Sequence, residues 1–83
     1  MNTKFKIGDT VLVNLDEAFA YVTATARPKS PVGIVVGIPS VNLLISFPGW
    51  SDGHNGNGII DPELSVGFKS CWFVTEANTT LLE

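Results

Sequence analysis

The apolar residues of this chain come in short runs, each closed by Gly, Pro, Asn or Asp, and that punctuation limits the folds open to it. The first run is DTVLVNL over 9–15, after the turn KIGD; the second is VGIVVGI over 32–38 and the third VNLLISF over 41–47. A fourth covers 71–74 and a fifth 79–82, joined by the turn TEAN. β-Branched and aromatic residues in runs of this length predict strands. In the first, Val11, Val13 and Leu15 share one face by the period of two, with Thr10 and Asn14 on the other. Pro39-Ser40 is short enough to join the second and third as a hairpin. The pattern predicts an all-β domain: a small, five-stranded, mostly antiparallel, SH3-like barrel.

Two long connections interrupt it, 16–31 and 48–70. Connections of that length are usually functional or hide an element. DEAFAY in the first could form one helical turn, capped by Asn14 or Asp16 and limited by the Thr-rich continuation and Pro28.

Size and charge narrow the function. Residues 1–83 make a single domain, which buries only about 60–65% of the surface its unfolded chain exposes. A core that thin predicts self-association, a homo-oligomer sharing an apolar face. Charged residues are 16% of the chain and the net charge is −3, a field that repels a phosphate backbone and argues against generic nucleic-acid binding. There is no run of eighteen apolar residues, the N-terminal MNTKFKIGD carries no signal-like stretch, and one cysteine cannot make an internal disulfide. The expectation is a soluble cytoplasmic protein without membrane contact.

The candidate chemistry gathers around GWSDGHNGNG, residues 49–58, which holds the one histidine and one of two tryptophans. As a calcium loop the segment fails. With Gly58 at the sixth position, Asn55 and Asn57 take the third and fifth, but the first and twelfth fall on Gly53 and Leu64, so Asp52 and Glu63 each miss by one. His54 and Cys71 alone cannot close a tetrahedral metal site. Gly53, Gly56 and Gly58 could offer N–H groups to an anion, yet no GK[ST] follows and Asp52, Asp61 and Glu63 oppose a bare phosphate. Cys71 lies in the apolar run SCWFV, where a thiol is expected to be buried and inert, so catalysis, metal and cofactor are all expected to be absent. The aromatic residues are left as the feature to explain. In CWFV neighbours alternate faces, so one of Trp72 and Phe73 should reach an outer surface; Trp50, after Pro48-Gly49, is expected to be less than fully buried and to serve contact.

FKIGDTVLV, PVGIVVGI, LLISF, GHNGNG, GFKSCWFV and TTLL occur in an order that resembles a set of small bacteriophage proteins, and is more distantly similar to the mind-bomb/HERC-type SH3-like domains. The resemblance covers nearly the whole chain. Its matched positions are Gly8, Asp9, Gly33, Phe47, His54, Gly56, Cys71 and Trp72, and its departure is the longer, more apolar 16–31 connection. It implies an SH3-like barrel made in the host cytoplasm that acts by binding. Two functions are expected from it. One is an inhibitor that occludes a host defence or regulatory protein through Trp50, His54, Asn55, Gly56, Asn57 and Trp72. The other is a sponge for a small signalling nucleotide enclosed by the Gly-rich loop and aromatics of neighbouring subunits. The aromatics stack on the base and glycine N–H groups hold the phosphates, with Arg27 and Lys29 as the supporting cations.

Overall fold

A computed structural model describes residues 4–56 and 69–82. Five strands form one antiparallel sheet in the order β4-β3-β2-β1-β5: β1 is Thr10–Val13, β2 Val32–Gly37, β3 Asn42–Ser46, β4 Cys71–Thr75 and β5 Thr79–Leu81. This is the small, barrel-like all-β class that the short runs predict, with each strand within two residues of its expected limits. No described helix is long and apolar enough to cross a membrane.

The strand nearest the N-terminus shows how the residues set the limits. Val11 and Val13 are buried while Thr10 and Leu12 are exposed, the alternation of a half-covered strand. Leu15 was expected to continue it but begins a one-turn helix, α1 (Leu15–Ala18), because the Asn14 side chain turns back to accept from the Glu17 N–H at 3.3 Å. The central strands have no such alternation. In β3 Leu43 to Ser46 are all buried, as befits a strand covered on both faces. Pairing of β2 with β3 shifts between Val35 and Gly37, a bulge at the hairpin end.

One face of the sheet carries the main core: Phe5, Val11, Val13, Phe19, Val35, Leu43, Ile45, Phe47, Trp50 and Val74. The other carries a smaller cluster, Val36, Leu44 and Cys71, with Ile34 and Phe73 against it. The apolar character of the 16–31 connection now has its reason. Phe19, the C-cap of α1, is buried and stacks on Trp72 with ring centroids 5.2 Å apart, while also meeting Phe47 and Trp50 edge-on. That connection lies over the core, then passes through a single 3-10 turn, Ala24–Ala26, to reach β2.

Candidate binding sites

The 49–56 part of the Gly-His loop is built into the sheet. His54 and Cys71 exchange both backbone hydrogen bonds, N to O at 3.0 and 3.1 Å, so the loop adds a one-residue rung beyond β4. Gly53 donates to the Lys69 carbonyl at 2.9 Å, and the Lys69 N–H donates to Asn55 Oδ1 at 2.9 Å. Lys69 holds φ at +51°, a left-handed conformation costly for a side chain, and these two bonds keep it there. Gly56, at φ +82°, turns its N–H back onto His54 Nδ1 at 3.0 Å. Asn55 and Gly56 thus spend polar groups on the loop's own shape. Asn57 and Gly58, with most of the calcium-like segment, lie outside the described residues.

Trp50 corrects an expectation. It is only 7% exposed and belongs to the main core, wedged among Phe19, Phe47 and Trp72 at centroid distances of 5.5–5.9 Å. A buried indole needs an acceptor for its N–H. The Ala26 carbonyl supplies it at 2.8 Å, from the far side of the molecule's first long connection. Gly53 is what lets the loop lie this close: a Cβ there would collide with the Cys71 carbonyl and the Trp50 ring.

Alternation in β4 sends Trp72 toward the main core and Phe73 toward the second cluster, and both stay half-buried. His54 sits at the strand's outer edge and touches both, its ring centroid 5.9 Å from Trp72 and 5.0 Å from Phe73. The three line an apolar hollow of about 250 Å³. Burial pushes the His54 imidazole below its ordinary value, so the ring is neutral near pH 7 and can accept at Nδ1. Burial pushes the Cys71 thiol up, opposed by the Ser70 hydroxyl beside it; a fully covered, protonated thiol is a poor nucleophile. Among the described residues no three His, Cys, Asp or Glu side chains cluster as metal ligands would.

A second cavity, of about 360 Å³, opens between residues 25–30 and 48–52. It brings Arg27 and Lys29, the cations expected of a nucleotide sponge, together with Trp50, expected to serve a protein contact. Pro28 and Pro48 add apolar walls and Asp52 a single carboxylate. Arg27 is oriented by two bonds, Nε to the Val22 carbonyl at 2.9 Å and Nη1 to Asp16 at 3.1 Å. The candidate residues therefore divide between two places. His54 and Trp72, with Phe73, form the hollow; Arg27, Lys29 and an edge of Trp50 form the cleft. Phe73 and Asp52 were not singled out from the sequence as site residues, and only the alternation in CWFV hinted at the first.

Compared with known protein families, curated proteins and solved structures, the chain matches none.

Proposed function

We propose that this is a non-catalytic binding protein, of the kind small phages use against their hosts, that occludes a host defence or regulatory protein in the host cytoplasm and works as a homo-oligomer. The observation that carries the reading is the aromatic hollow at a sheet edge. Half-buried Trp, Phe and His side chains gathered at one spot form the anchor pocket of a protein contact. Beside it, among the described residues, β4 is paired on its outer side only at Cys71, by His54. By the alternation of an antiparallel ladder, Phe73 and Thr75 direct their backbone groups to that same side. An extended segment of a partner can pair there while placing a side chain against His54 and Phe73. The net charge of −3 favours a basic partner surface.

The nucleotide-sponge reading sets the phosphates against glycine N–H groups of the loop at a subunit interface, with Arg27 and Lys29 as the supporting cations. Gly53 and Gly56 give that site little support, since both N–H groups already bond within the molecule.

The test is affinity capture from bacterial lysate with the wild type and a His54→Ala/Phe73→Ser double variant, each checked for folding by circular dichroism. A stoichiometric protein partner held by the wild type and lost by the folded double variant is expected. Equal capture by both would sink the hollow as the contact.

A further inference from the structure

We infer that the cleft between residues 25–30 and 48–52 is a second, separate site that takes a small phosphomonoester carrying a flat ring, of mononucleotide size, within a single chain. Its volume, about 360 Å³, lies at the lower end of the range for small-molecule sites. The chain has only five Lys and Arg, yet two of them, Arg27 and Lys29, stand on this one wall. Arg27 is 22% exposed and uses two of its five N–H donors, leaving three with no partner among the described residues. Its ion pair is with Asp16, whose side chain is 93% exposed, a contact too solvated to hold the guanidinium's charge to itself. Pro28, Pro48 and the edge of Trp50 supply flat apolar walls for a ring. Among the described residues Asp52 is the one carboxylate on the cleft, and it can accept from an exocyclic amine or a sugar hydroxyl.

The charge balance selects a monomer over a polymer. A molecule with net charge −3 repels a nucleic-acid backbone that extends beyond the cleft. A monophosphate confined to the cleft meets two cations, Arg27 and Lys29, against the single carboxylate of Asp52 among the described lining residues. The Trp50 indole N–H gives the site a reporter, because its acceptor, the Ala26 carbonyl, lies next to Arg27 in the chain.

Amide and indole resonances of the full chain are followed during titration with AMP, adenosine and inorganic phosphate. AMP is expected to saturate at or below about 1 mM, with shifts confined to residues 27–30, 48–52 and the Trp50 indole. Adenosine and phosphate alone should each bind about tenfold or more weakly. Lys29→Glu should weaken AMP about ten- to hundredfold, the worth of a charge-assisted contact. Lys29 is exposed, so the variant should keep its fold. Ser51→Phe, which fills the cleft without changing charge, should abolish binding as well. No saturation by AMP, shifts centred on His54 and Phe73, or a Lys29→Glu variant that binds as the wild type does would each overturn the inference. The site does not depend on the aromatic hollow. Lys29→Glu should still capture the protein partner, so the two readings fail separately.

Discussion

Trp50 places a large apolar ring and one polar atom where each has a partner, and removing either part has a separate cost. Trp50→Ala empties the middle of an aromatic cluster and leaves the Ala26 carbonyl without its donor, so urea denaturation should show a loss of about 3–5 kcal/mol. Trp50→Phe keeps most of the ring and should lose about 1–3 kcal/mol, chiefly for the stranded carbonyl. A Trp50→Ala variant within about 1 kcal/mol of the wild type would return this residue to the surface role its loop position suggests. His54 makes a pH-dependent contribution. Burial lowers its folded-state pKa, so as pH falls below 6.5 the unfolded chain takes up the proton before the native one does. Protonation at Nδ1 would also break the bond from the Gly56 N–H. Stability should therefore be fully present above pH 6.5, fall as the solution is acidified through that value, and level off below the folded-state pKa. Urea midpoints taken from about pH 8 to about pH 5 should show this slope in the wild type and lose it in His54→Gln. A midpoint that rises on acidification in the wild type would contradict the burial.

At the scale of elements, two glycines of the same loop should fail for different reasons. Gly53→Ala meets the Cys71 carbonyl and the Trp50 ring, neither of which can yield without breaking the His54–Cys71 bridge or the core, so a loss of about 1–3 kcal/mol or more is expected. Gly49 has open space around it but sits at φ +82°, so Gly49→Ala should cost about 1–2 kcal/mol from backbone strain alone. The variants separate in hydrogen exchange: Gly53→Ala should speed exchange at His54 and Cys71, and Gly49→Ala should not. Equal exchange in both would mean the loop is not locked to β4 by close packing. The strands were legible because a period of two and a turn residue are local signals, and Val11, Val13 and the 39–40 hairpin needed nothing else. Phe19 was not legible as core. A helix of one turn is too short to show a period, and what buries Phe19 is Trp72, far away in sequence. Trp50 was misread for a related reason: flanking Pro and Gly mark a loop, but its burial depends on a carbonyl 24 residues earlier. The meeting of Arg27 and Lys29 with Trp50 is likewise tertiary, visible in composition only as scarce cations.

At the scale of the whole molecule, the described residues leave one stretch of the sheet exposed. The face that buries Val36, Leu44 and Cys71 on β2, β3 and β4 runs on across β1 and β5, where Leu12 is opposite Val32 on one side and Thr80 on the other. Leu12, Val32 and Leu82 are 39%, 37% and 39% exposed there, with Thr10 and Thr80 between them and no charged side chain among these strand positions. Among the described residues β5 is also an end strand, paired only with β1. A domain of 83 residues has little core to spare, and a second copy laid on this face would cover apolar surface that one chain cannot. Light scattering at micromolar concentration should accordingly give twice the single-chain mass. Leu12→Glu should give the single-chain mass with an unchanged circular dichroism spectrum, since an exposed position tolerates the charge in a monomer but not against an apolar partner. Raising the salt should leave the wild-type mass unchanged, because Thr10, Leu12, Val32, Thr80 and Leu82 carry no charge to screen. A wild type that runs as one chain, or a Leu12→Glu variant that still runs as two, would show that this face is not where copies of the chain meet.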